Sequence, residues 1–323
     1  MKEIKVTMIG PSSVGKTSLL AAIYDQYKPA INGTDLQITP EESTKASLKT
    51  RLEELKNLDN TDFLTTEWTR RTTEERTYTF ELSKRGGNTF SKILFQDYPG
   101  EWLNSNSSSK QKMEDFLRES DAVIIAIDTP ALMESKSDFD WHKKRNSVEE
   151  IYNVFETVYR NIISPKLIIL APVRCEAYYI KESQKYDTEL LNRIKKGYEQ
   201  LLNHLDSQSL IDKVAVVVTP VQTVGNVVFN SIEIDERKEP KIIFHKTGGK
   251  YQPIDSEQPL RYILRFVLSN SINSRWGMCN WLRKGLNLDK DLKEAVNKFT
   301  DSSMCKTNGG FAIIQGHSLL NIE

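Results

Sequence analysis

Gly10-Pro11-Ser12-Ser13-Val14-Gly15-Lys16-Thr17 fits G-x-x-x-x-G-K-[ST] without a mismatch, between an apolar run from Lys5 to Ile9 and a stretch of helical periodicity. At ordinary residue frequencies such a match arises by chance in on the order of one per cent of chains this long, before its position is considered. Strand, glycine-bearing turn and helix in that order suit one chemistry. A polyphosphate is wrapped by backbone N–H groups at a helix N-terminus, where unpaired donors and the helix dipole both favour anions. Gly10 and Gly15 permit the turn and the close approach, with Ser12, Ser13, Val14 and Ser18 completing the cradle. Lys16 neutralises phosphate charge, and the Thr17 hydroxyl can ligate Mg²⁺.

The anion must be held locally, because 44 Lys and Arg balance 44 Asp and Glu and leave no global basic field for nucleic acid or an anionic membrane. A length of 323 residues allows about two domains, or one α/β domain with large insertions. Apolar runs such as Ala122 to Ile127 and Val214 to Val218 fall far short of the roughly 18 residues of a membrane span. The N-terminus lacks a secretory apolar core, so the expected compartment is the cytoplasm. Cys175, Cys279 and Cys305 are scattered, as are His142, His204, His245 and His317, which argues against a disulfide framework or a zinc enzyme.

Leu19, Leu20 and Ile23 predict a helix over about 16–27. Thr39-Pro40-Glu41-Glu42 has the pattern of an N-cap, a first-turn proline and an N3 glutamate, opening a helix with Leu48, Leu52, Leu55 and Leu58 on one face. Tyr78 to Leu82 and Lys92 to Gln96 flank Arg85-Gly86-Gly87-Asn88 as a hairpin. Farther on, strand-like runs at Ala122 to Ile127, Leu167 to Leu170 and Val214 to Val218 alternate with helical stretches near 147–161 and 188–205. This alternation predicts right-handed βα units in a largely parallel sheet. Short strands near 227–229 and 242–244 and a helix over 259–268 follow. Trp102, Trp276 and Trp281 read as packing residues.

Asp97 ends the second hairpin strand, where a second carboxylate on the Mg²⁺ side is expected, and Gly100 follows at D-x-x-G spacing, its N–H free to approach a γ phosphate. On Gly10 to Thr17, the run Asp97-Tyr98-Pro99-Gly100-Glu101-Trp102 and the run Thr219-Pro220-Val221-Gln222-Thr223-Val224-Gly225, the chain resembles the translation-factor-related P-loop GTPases. Within that class it is similar to the bacterial double-GTPase-like group of predicted conflict systems. The resemblance covers about residues 1–270. It implies a Ras-like three-layer α/β fold, mostly parallel with one antiparallel edge hairpin strand, a Mg²⁺-dependent GTP/GDP site, two switch segments and a conformational output. The expected domain is 1–270, with a helical insertion and first switch at 28–76 and an extension over 271–323 packed on it.

In such GTPases the base is read by N/T-K-x-D. The matching place here is Val173-Arg174-Cys175-Glu176, in which Glu176 can accept from guanine N1 and N2 and the Arg174 stem can cover the base. Thr219 and Val221 lie in the loop across the base. Glu101 stands where Ras-like enzymes place a glutamine, and serves either to hold the attacking water or as a residue favourable at a helix N-terminus. Arg70 resembles the arginine supplied in cis by heterotrimeric G-protein α subunits. Thr73 is the metal-ligating candidate of the first switch, with Thr72, Thr66 and Thr65 as alternatives. The resemblance implies a slow GTPase switch in bacterial defence or a related conflict pathway, acting on a protein effector or a second GTPase. An ATPase with the same site, and a scaffold that binds nucleotide without hydrolysis, are the competing readings.

Overall fold

The computed structural model describes residues 2–58, 63–65, 72–103, 108–135, 141–178, 184–234, 240–272, 290–303 and 310–321. Five strands run parallel in its centre: β1 (Lys2–Ile9), β5 (Thr89–Asp97), β6 (Ala122–Asp128), β7 (Lys166–Val173) and β8 (Val214–Val218). β6, β7 and β8 are buried at every position, the mark of strands covered on both faces. Alternation then sorts their side chains. Ile124 and Ala126 enter the core under α1 (Lys16–Ala30) and α9 (Gln258–Ile272). Val123, Ile125 and Ile127 enter the opposite core under α3 (Ser108–Glu119), α6 (Val148–Val158), α7 (Gln184–Gly197) and α8 (Glu199–Leu205). The fold is a three-layer α/β sandwich.

Antiparallel strands close both edges. β4 (Arg76–Lys84) pairs with β5 as the expected hairpin, and β2 (Leu36–Pro40) then pairs with β4. That pairing changes the reading of Thr39-Pro40-Glu41-Glu42. Pro40 lies opposite Phe80 in the ladder, Glu41 is the N-cap, and α2 starts at Glu42 and runs to Lys56. Ladder hydrogen bonds outweigh a one-residue capping preference, and a proline is tolerated on an edge strand. Leu48, Leu52, Leu55 and Leu58 are buried. At the other edge β11 (Ala312–Gln315) pairs antiparallel with β8, so the C-terminal extension supplies a strand of the main sheet.

The predicted helix over 188–205 is two helices, α7 and α8, meeting at Tyr198. A Cβ on Gly197 would lie 2.4 Å from His142 Nε2, so only glycine fits that approach. A second sheet is ordered β3 (Phe63–Thr65), β10 (Pro240–Lys246), β9 (Val227–Ile234), all antiparallel. It joins β3, within the 28–76 insertion, to the hairpin after Thr219 to Gly225. A satellite core of Leu55, Leu58, Val224, Val227, Ile242 and Phe244 fastens it to α2. Trp102 stacks on Tyr98 with ring centroids 5.4 Å apart, whereas Trp276 and Trp281 lie outside the described residues. Among the described residues no helix is long and apolar enough to cross a membrane.

The docking of β11 rests on a close approach. Gly316 has φ +77°, and a Cβ there would lie 2.5 Å from Ala215 Cα. Gly316→Ala should therefore destabilise the protein by about 2–3 kcal/mol in urea unfolding, and an unchanged midpoint would contradict the packing of this edge.

Candidate functional site

The loop from Gly10 to Thr17 sits at the C-terminal ends of the parallel strands, the usual crevice for ligands in such sheets. Gly10 holds φ +143°, with a would-be Cβ 2.9 Å from the Ala126 carbonyl oxygen, and Gly15 holds φ +112° as the N-cap of α1. Val14 is fully buried and anchors the loop from below. Ser13 adopts φ +60°, a conformation costly for a residue with a side chain, and its buried Oγ has no partner. Lys16 lies back across the turn, its Nζ donating to the Gly10 carbonyl at 2.8 Å and the Pro11 carbonyl at 3.1 Å. Burial pushes its pKa down, and the charges of Asp97 and Glu101 act the other way.

Hard oxygen atoms converge beside the loop. The Thr17 hydroxyl donates to Asp97 Oδ2 at 2.5 Å, and the Thr72 hydroxyl lies 2.9 Å from it and 3.5 Å from the same carboxylate oxygen. Asp97 Oδ1 is buried and unpartnered. Burial raises the Asp97 pKa, opposed by Lys16, the two threonine hydroxyls and Arg51. Such donors suit Mg²⁺ better than a softer metal. Of the candidate threonines, Thr72 makes these contacts, while the side chain of Thr73 is exposed. Two adjacent threonines cannot be ranked from sequence, because only the fold brings one of them, Thr72, within reach of Thr17 and Asp97. Arg70 lies outside the described residues.

Gly100 is buried against the loop. A Cβ there would fall 2.0 Å from Ser12 N and 2.3 Å from the Pro11 carbonyl carbon, so the Asp97 to Gly100 turn touches the phosphate loop backbone to backbone. Glu101 follows in a 3-10 turn, Gly100–Leu103, with its side chain exposed.

On the base side, Arg174 has φ +58° and a buried guanidinium. Nη1 donates to Asp128 Oδ2 at 2.9 Å, Nη2 donates to the Ser13 carbonyl at 2.5 Å, and the group lies over the Phe244 ring at 5.4 Å. The guanidinium is thus committed to the phosphate loop and to β6. The Glu176 carboxylate accepts from the amides of Val224 and Gly225, both at 3.3 Å, and burial raises its pKa. Val221 N donates to the Pro172 carbonyl at 2.8 Å, and Thr219 is buried with its hydroxyl unpartnered. These contacts lace Val173 to Glu176 and Thr219 to Gly225 into one wall.

Asp128 escaped sequence reading as a site residue. It is fully buried, caps the short helix Thr129–Met133 by accepting from Ala131 N at 3.4 Å, and pairs with Arg174 and, at 3.4 Å, Arg145. Asp128-Thr129-Pro130 does carry a visible capping pattern. Its ion partner 46 residues away does not follow from that pattern.

Two solved structures similar in outline are the S. cerevisiae Ski7 GTPase-like domain bound to GTP and the same domain bound to GDP and inorganic phosphate. Identities are 14% and 16%, and TM-scores 0.40 and 0.39. Each alignment covers 68% of this chain and 43% of the other, so the chain spans less than half the length of those structures. No curated protein matches the chain. The family model for Double-GTPase 2 matches residues 4–219, well over half of the sequence and every strand of the parallel sheet. The chain belongs to the Double-GTPase 2 family.

Proposed function

We propose that the protein binds a guanine nucleoside triphosphate with Mg²⁺ and hydrolyses it slowly, as a switch read by a protein partner. The observation carrying this reading is the meeting of Thr17, Thr72 and Asp97, with one unpartnered buried carboxylate oxygen, at the mouth of an intact phosphate loop. Amides from Ser12 to Ser18 hold the phosphates, and Lys16 leaves its loop carbonyls for phosphate oxygens. Thr17, Thr72 and Asp97 would hold Mg²⁺, which neutralises charge developing on the phosphates. Glu101 would orient the attacking water or favour the helix N-terminus, and Arg70 is the arginine of the same segment as Thr72.

Gly100 supplies the conformational output. Its backbone lies against Ser12, so a terminal phosphate near that amide displaces the Gly100–Leu103 turn and, through it, α3. Thr72 does the same for the segment tethered by β3. Glu176 accepts from guanine while Val224 and Gly225 hold it in place. Adenine is the second reading, because Glu176 already receives two amide hydrogens and Val173 has no polar side chain. A role in bacterial defence, an effector or second GTPase as partner, and a cytoplasmic site of action rest on kinship.

Isothermal titration should give at least tenfold tighter binding of GTP and GDP than of ATP, and the reverse order would overturn guanine recognition. Lys16→Ala should cut single-turnover phosphate release by about a hundredfold or more, and release that persists would point to a contaminating hydrolase. Glu176 has a folded-state pKa raised above the unfolded value. The resulting penalty is absent below the ordinary carboxylate range and grows as pH rises through the folded pKa. Glu176→Gln should thus stabilise the nucleotide-free protein at pH 8 relative to wild type, with the gain shrinking towards pH 4, while its GTP affinity falls towards that for ATP.

A further inference from the structure

Arg51 stands on the inward face of α2 between Leu48 and Leu55 and is only 8% exposed. Its guanidinium crosses to α1. Nη2 donates to Ser18 Oγ at 3.2 Å, Nη1 donates to Glu54 Oε2 at 2.8 Å, and Nε is buried without a partner.

As a purely structural feature this placement is unfavourable on three counts. A cation is removed from water, and its carboxylate partner Glu54 is 36% exposed and compensates weakly through solvent. One donor is left unsatisfied. The charge also sits against Ser18 in the first turn of α1, the positive end of that helix dipole, with no acidic residue in the turn. Helix N-termini favour anions, and cations stabilise the other end. Lys16 and Arg51 share one buried carboxylate, Asp97, so two buried cations at this end still leave room for an anion.

We propose that Arg51 is a positioning residue for the polyphosphate of the bound nucleotide: through Ser18, the insertion delivers a fixed positive charge to the first turn of the phosphate-binding helix. The inference rests on the nucleotide reading above. Arginine suits the task because its planar fork holds Ser18 and Glu54 at once, which a lysine ammonium on a flexible stem cannot do. The tie also has a mechanical side. α2 leads through Leu58, whose carbonyl accepts from Lys246 Nζ on β10 at 3.1 Å, into the strand before Thr72. A phosphate that tightens Arg51 on Ser18 thereby anchors the segment carrying the first-switch threonine.

The test compares wild type, Arg51→Met and Arg51→Lys by thermal unfolding without ligand and by titration with Mg²⁺–GTP, Mg²⁺–GDP and guanosine, which has no phosphate. Arg51→Met should melt no lower than wild type without ligand, lose about tenfold in GTP and GDP affinity, and keep wild-type guanosine affinity. Arg51→Lys should recover part of the loss. A melting temperature lowered by several degrees together with an unchanged ratio of GTP to guanosine affinity would make Arg51 structural and overturn the proposal. Should Arg51→Met not fold, Ser18→Ala decides. Loss confined to the phosphorylated ligands supports the proposal, and equal loss or none overturns it. A wild-type protein that binds neither GTP nor ATP overturns the nucleotide reading itself, and this inference with it.

Discussion

A buried ion pair stands behind the phosphate loop. Asp128 at the end of β6 holds the Arg174 guanidinium, which grips the carbonyl of Ser13, a residue in a backbone conformation its side chain disfavours. Removing Asp128 would leave the buried Arg174 guanidinium without its carboxylate, a change that typically costs about 3–5 kcal/mol. The pair thus fixes the phosphate loop, the capped helix after β6 and the Val173 to Glu176 loop relative to one another. Phe244 of the second sheet closes the arrangement by covering the guanidinium.

Around that frame the charges are arranged for an anion. Lys16 is buried with its proton affinity lowered by desolvation, Asp97 is buried with its own raised, and Arg51 is inserted beside Ser18. Each of these is costly in isolation. On the proposed reading, a triphosphate with Mg²⁺ would offset these costs, with Lys16 and the α1 amides available to phosphate oxygens and the Asp97 carboxylate available to the metal. The two segments that touch this region, Thr72 and Gly100, do so through short contacts at the loop mouth.

The second sheet extends that communication. β3 precedes Thr72, β9 follows the Glu176-binding amides of Val224 and Gly225, and β10 joins them. The segments before Thr72 and after Gly225 are thus joined through one three-stranded unit, and the Lys246 to Leu58 hydrogen bond adds α2 to it.

The sequence by itself determined the phosphate loop, the parallel strands and most of their helices. Each of those signals is local: glycine spacing, apolar runs long enough for doubly covered strands, and a 3.6-residue period. Asp97 and Gly100 were readable for the same reason, as four residues at the end of one strand. Tertiary structure alone decided that Pro40 belongs to a strand, since ladder pairing with Phe80 overrode the capping pattern. It also brought Thr72, not Thr73, within hydrogen-bonding reach of Thr17 and joined Ala312–Gln315 to β8. Above all, it decided what Arg51, Asp128 and Arg174 do, because the energy of a buried charge depends on partners tens of residues away that no local pattern encodes.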